Sequence, residues 1–169
     1  AVDEGTPVEV ADAALAPLGL PMSPFTLLGL VGPAVALHVA ESMHAAFPER
    51  FPVSENLQRL VAAGKPGLYI TKDGSVQLDP ELVSLFTLGD SPSSAEQLRE
   101  RVLSALTQEI QLMLDEGVVA GPQDIDLCMV LGAGWPFWLG GITPFLDRSG
   151  TSQRVLGHLF HPGPLTATG

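Results

Sequence analysis

Several groups of residues in this chain have types and spacings that could do chemistry. His38, Glu41 and His44 recur every third position, close enough on a helix for an imidazole to meet a carboxylate. A metal site needs further ligands and a supporting shell. The neighbouring sequence supplies neither, so a solvated helix face is the preferred reading. Gly132-Ala133-Gly134 comes nearest to a phosphate-cradling turn, which must join a strand to a helix. Here the segment follows a helical stretch and leads into Trp135-Pro136-Phe137, so it reads as a tight turn needing small residues. Cys128 has no basic neighbour to activate its thiol and is expected to be a small core residue. His158 and His161 lie beside Pro162 in a stretch expected to fray. Trp135, Phe137 and Trp138 could wall a groove for an apolar chain, with helix packing as the competing use. No catalytic, nucleotide-binding or metal-ligating residue is assigned.

Composition narrows the partners. The 169 residues are 46% hydrophobic, ample for a packed core. They carry 19 acidic against 8 basic side chains, a net charge of −11 that repels nucleic acid and anionic lipid. The one cysteine permits no internal disulfide, which favours a cytoplasmic origin. No apolar run is long enough to span a bilayer.

The elements that must position these residues are mostly helical. Thr6-Pro7-Val8-Glu9 has the form of a capping box with proline at the first helical position, opening a helix to about Ala16. Gly32-Pro33 opens a second, whose Val35, Val39 and Met43 predict one buried face. Ser54 caps a third that runs through Leu57, Leu60 and Val61 to Gly64. Residues 68–78 change period and read as a small hairpin around Asp73-Gly74. After a connector at 88–92, Ser93-Ser94-Ala95-Glu96 predicts a second capping box. It opens a long helix with Leu98, Val102, Leu106, Ile110 and Met113 on one face. A short helix over Pro122 to Leu131, a last one near Ser152 to Phe160, and a flexible tail at 162–169 complete the chain.

Self-comparison finds a repeat. Pro7 and Pro122, Val10 and Ile125, Ala13 and Cys128, Ala14 and Met129, Gly19 and Gly134, and Pro21 and Pro136 are all 115 positions apart. Asp3-Glu4-Gly5 corresponds to Asp115-Glu116-Gly117, and Gly32 to Gly150. The expected fold is therefore mainly α, with two tandem diverged helical copies (1–87 and 93–161) and one hairpin. Asp115-Glu116-Gly117 ends a long helix, and the first copy has no such helix before its matching tripeptide. The chain is accordingly expected to be the C-terminal part of a longer protein, its first copy leaving an apolar face to be covered by another element or chain.

The segments Leu18-Gly19-Leu20-Pro21-Met22-Ser23-Pro24-Phe25-Thr26-Leu27-Leu28, Asp115-Glu116-Gly117-Val118-Val119, Asp124-Ile125-Asp126 and Gly132-Ala133-Gly134-Trp135-Pro136-Phe137 resemble the C-terminal domains of 3-hydroxyacyl-CoA dehydrogenases. The tandem order is similar to the α subunit of the bacterial fatty-acid oxidation complex, which adds an enoyl-CoA hydratase. The resemblance implies a parent enzyme that oxidises 3-hydroxyacyl-CoA with NAD in β-oxidation. Its nucleotide loop and His–Glu pair would lie in an upstream Rossmann domain, and its hydratase further upstream. No cofactor is expected on these residues, which alone are predicted inactive. Trp135, Phe137, Trp138, Met22 and Phe25 are the candidates for a groove against acyl-CoA. A homodimer and a docking thiolase are the further assemblies suggested.

Three positions depart from the family pattern: Ser23 where glycine is common, Gly29 where aspartate is common, and Leu139 where arginine often precedes Gly140-Gly141. The expected function is a substrate-enclosing and interdomain or dimer scaffold of the dehydrogenase. The alternative is a non-catalytic helical assembly module with no acyl-CoA contacts.

Overall fold

The computed structural model describes residues 1–163. The described chain is mainly helical with one two-stranded antiparallel sheet, as the sequence predicts. It divides into two compact units. The first comprises Ala1–Leu15 and Met22–Ala95, and the second Ala16–Pro21 and the chain from Glu96 onward. Most of the expected tail, residues 164–169, lies outside the described residues.

The first unit holds α1 (Val8–Ala13), α2 (Pro24–Val31), α3 (Pro33–Ala46), α4 (Glu55–Ala62), the strands β1 (Tyr69–Lys72) and β2 (Ser75–Leu78), and α5 (Leu82–Leu85). Its core joins Val8, Leu60, Leu68 and Leu82, with Phe25, Leu28, Leu57 and Phe86 packed around them. Asn56, buried on α4, uses its amide fully: Nδ2 donates to Asp3 Oδ1 and Thr87 O, while Oδ1 accepts from Thr87 N and Arg59. One residue of α4 thereby ties the two ends of the unit together. The Asp73-Gly74 turn has φ of 51° and 78°, the left-handed pair that such a dipeptide favours. It sets the register Tyr69 to Leu78 and Lys72 to Ser75.

Several expectations fail for definable reasons. Ser54 caps α4 through Leu57 N as predicted, but Thr6 makes no capping box. Its buried hydroxyl accepts from Ser93 N instead, and α1 ends at Ala13, before a 3-10 turn at Ala16–Leu18. The segment from Pro24 to Val31, which reads as a mere apolar stretch, is a helix capped by Ser23. Gly32, at φ 94°, ends α2 and begins α3, and the two axes bend by 101°. Val35, Val39 and Met43 are exposed rather than buried, as are Leu27, Leu30 and Val31. Periodicity places Val35, Val39 and Met43 on one face of α3, but among the described residues that face is exposed.

The second unit holds α6 (Ala95–Asp115), α7 (Pro122–Gly132), α8 (Ile142–Arg148) and α9 (Thr151–Leu156). Its core includes Leu98, Leu103, Ile110, Ile125, Trp135, Ile142 and Leu146. The buried face of α6 is wider than predicted. It takes in Leu103 and Thr107, whose hydroxyl returns to Leu103 O, and leaves Val102, Leu106 and Met113 half-buried. α8 and α5 were not foreseen, and the last helix stops at Leu156.

Cys128 is exposed, against expectation. α7 packs through Ile125 and Met129, and Cys128 shares the open side with Leu127 and Leu131. Gly141 must be glycine, because a Cβ there would fall 2.6 Å from the Asp126 carboxyl carbon. Inside this unit, a Cβ on Gly134 would meet Pro21 at 2.9 Å. One on Gly19 would lie 3.6 Å from Pro136 and 3.5 Å from the Trp138 ring.

Candidate functional site

The most organised polar site of the first unit is built on Asp12. This buried carboxylate accepts from Ser23 Oγ (2.8 Å), Phe25 N (2.7 Å) and Tyr69 OH (2.7 Å). It fastens α1 to the first turn of α2 and to β1. Ser23, a departure from the family pattern, therefore has a role: it caps α2 and supplies a donor to Asp12. Burial, then the hydrogen bond to Asp12, then the charges of Asp12 and Glu9 push the Tyr69 phenol well above its ordinary pKa. A phenol so held is a structural donor and not an acid or base at neutral pH.

A second cluster pairs Lys65 with Asp79 (2.8 Å) and Glu81. Hydrogen bonds from Lys65 and from the Glu81 backbone hold Asp79 below the usual carboxylate range. The Asp79 and Glu81 bonds raise Lys65 in turn. Since the folded pKa of Asp79 is the lower one, its contribution is complete above the unfolded value near about 4 and is lost as pH falls through the folded one. Acid titration followed by circular dichroism should show the first unit weakening below about pH 4, with a shallower acid limb in Asp79→Asn. An unchanged limb in that variant would remove Asp79 from the account.

In the second unit two aspartates play comparable parts. Asp126 accepts from Thr143 N and Thr143 Oγ1, both at 2.8 Å. Thr143 Oγ1 lies 2.9 Å from His161 Nε2. The hydroxyl proton goes to the carboxylate, so His161 must donate through Nε2–H. A hydroxyl held in this way is not an activated nucleophile. Asp147 accepts from Ser152 Oγ, Phe160 N and His161 N. The segment through His161 is thus tied down, contrary to the fraying expected for it. His158 bonds only the adjacent Leu159 carbonyl.

The groove candidates separate into different surroundings. Phe25 is half-buried in the first unit and Met22 is partly exposed beside it in sequence. In the second unit Trp135 is buried against Phe145, with ring centroids 5.4 Å apart, and its Nε1 has no hydrogen-bond partner among the described residues. Phe137 and Trp138 are 75% and 67% exposed and pack edge to face on each other. Sequence reasoning missed Asp12, Tyr69 and Asp147, because isolated polar residues give no periodic signal, and it read Asp126 only as part of a motif, without its hydrogen-bonding role. His38, Glu41 and His44 are all exposed. His44 Nδ1 meets the Phe51 carbonyl, and no cluster of metal-ligand type occurs among the described residues. Gly132-Ala133-Gly134 sits at the C-terminal end of α7, where carbonyls rather than N–H groups point outward. That turn does not fit a nucleotide diphosphate. No single described helix is long and apolar enough to cross a membrane.

Comparison with known proteins agrees with the resemblance read from the motifs. Residues 1–74 match the family model described as 3-hydroxyacyl-CoA dehydrogenase, C-terminal domain. Among solved structures, the chain is similar to a 3-hydroxybutyryl-CoA dehydrogenase from Escherichia coli K12, with a TM-score of 0.55 and 20% identity. That likeness is one of fold. It covers 98% of this chain and 53% of the other, so this chain spans about half the length of that dehydrogenase.

Proposed function

We propose, from the premise that residues 1–74 form a 3-hydroxyacyl-CoA dehydrogenase C-terminal domain, that the chain serves as the substrate-enclosing and interdomain or dimer scaffold of such an enzyme. The observation that carries this reading is the exposed apolar face of α2 and α3, formed by Leu27, Leu30, Val31, Val35, Val39 and Met43, within the matched segment. Exposed apolar side chains gathered on two consecutive helices are unfavourable in water and mark a contact surface. The parent enzyme in this reading is cytoplasmic, works in fatty-acid β-oxidation, and holds NAD on another domain. A hydratase domain, and a thiolase as partner, belong to the same proposal.

Two parallels support the further reading of tandem copies. Asp12 receives the N–H of Phe25, the second residue of α2, and Asp126 receives that of Thr143, the second residue of α8, a parallel of role between aspartates one position out of the 115-residue register. The Gly19–Pro136 and Gly134–Pro21 approaches pair positions that correspond in the repeat. The described residues contain no cradle for a diphosphate at the one glycine turn that suggested it, so no hydride-transfer step is drawn through them.

The purified 169 residues should show no NADH consumption with acetoacetyl-CoA and no NAD reduction with the 3-hydroxy form. Measurable turnover would sink the scaffold reading. Calorimetry with CoA thioesters separates scaffold from pure assembly module: weak heat supports the former and none the latter. Val39→Glu, on the exposed face, should abolish binding of a hydrophobic dye or lower the oligomeric state. A dye-free monomer before the substitution counts against a contact surface there.

A further inference from the structure

Between α2 and the hairpin of the first unit lies a groove of about 260 Å³, which has only Phe25 in common with the acyl-CoA groove candidates. Its floor exists because two glycines meet. A Cβ on Gly67 would lie 3.1 Å from the Gly29 Cα, whereas one on Gly29 would find nothing nearer than the Pro66 carbonyl oxygen at 4.0 Å. Phe25, Thr26 and Tyr69 line it, and Val76, largely exposed, stands at its edge.

The hydroxyl protons determine what the groove can recognise. Tyr69 OH and Ser23 Oγ both give their protons to Asp12. Thr26 Oγ1, 2.8 Å from Ser23 Oγ, must then donate to Ser23, since each hydroxyl has one proton. Thr26 and Tyr69 both line the groove, and with their protons committed their hydroxyl oxygens can act only as acceptors. The electrostatic setting has the same sign. Glu9 lies near enough for its charge to act on Tyr69, and Lys65 is held by Asp79 and Glu81. In the strand register Lys72 alternates to the face opposite Tyr69 and Val76. The whole chain carries −11.

We propose that this groove binds a small organic ammonium ion with an apolar body, its charge against the aromatic rings of Phe25 and Tyr69 and its N–H groups on the hydroxyl oxygens of Thr26 and Tyr69. Aromatic faces attract such cations through their quadrupoles, and the volume suits a group of side-chain size. The site does not depend on the family assignment.

The test is an NMR titration of the 169-residue chain with 2-phenylethylammonium and with its neutral match, 2-phenylethanol. The ammonium should shift the amides of Thr26, Gly29, Gly67 and Tyr69 and bind about tenfold more tightly than the alcohol. Gly29→Leu fills the groove at a helical position with ordinary backbone angles and should abolish the shifts with the fold retained by circular dichroism. Thr26→Val leaves the groove open and should weaken binding several-fold, which keeps the test decisive if the leucine variant misfolds. Equal affinity for the alcohol, shifts that map elsewhere, no shifts at millimolar ammonium, or undiminished binding in a folded Gly29→Leu chain would each overturn the proposal.

Discussion

Asp12→Ala should lower stability by about 3–5 kcal/mol, the scale of removing one side of a buried charged network. In a chain of this length that corresponds to a fall in melting temperature on the order of 10 °C. The substitution leaves the Phe25 N–H and the Tyr69 and Ser23 hydroxyls without their acceptor, and all three lie where α1, α2 and β1 meet. Asp12→Asn distinguishes this cause from lost packing. Its amide oxygen can still accept, and the hydroxyls can rotate to accept from the new N–H₂ group. The asparagine variant should therefore lose only about 1–2 kcal/mol. Chemical denaturation of both variants is the measurement, and an alanine loss below about 1 kcal/mol would show that the cluster is not a fastening.

The second large effect is expected at Asp147. Its carboxylate holds Ser152 on α9 and the backbone N–H groups of Phe160 and His161. Asp147→Ala should cost about 3 kcal/mol, and the loss should have a location. The Phe160 and His161 amides should exchange with deuterium far faster than those of Ile142 or Leu146, which are fully buried on α8. Restoring only one acceptor oxygen, as in Asp147→Asn, should recover part of that protection. Uniform protection across α8 and the 157–163 segment in the alanine variant would exclude a local clamp.

These two aspartates also show where the sequence was legible. Helix starts marked by local chemistry were found: Ser54 before α4, Gly32-Pro33 before α3, and the Asp73-Gly74 hairpin. α2 was missed because its all-round apolar composition has no stripe, its cap being Ser23 and its satisfying acceptor the distant Asp12. Thr6 was misread because a capping-box pattern cannot reveal that Ser93 N, 87 positions away, takes the hydroxyl. The stripe of Val35, Val39 and Met43 was identified as one face, but periodicity reports which residues share a face and not whether anything covers it. Cys128 failed for a related reason, since α7 is apolar on both its packed and open sides.

The opposed turns of the second unit carry a consequence of their own. Gly134 admits Pro21, which a Cβ there would meet at 2.9 Å, so one turn is the mould in which the other sits. A side chain gained at Gly134 would displace Pro21, whereas one gained at Gly19 would meet Pro136 at ordinary contact distance and be strained only by the backbone φ of 71°. Positions 21 and 134 therefore form one mutational unit, in which a larger residue at 134 is tolerated only alongside a change at 21.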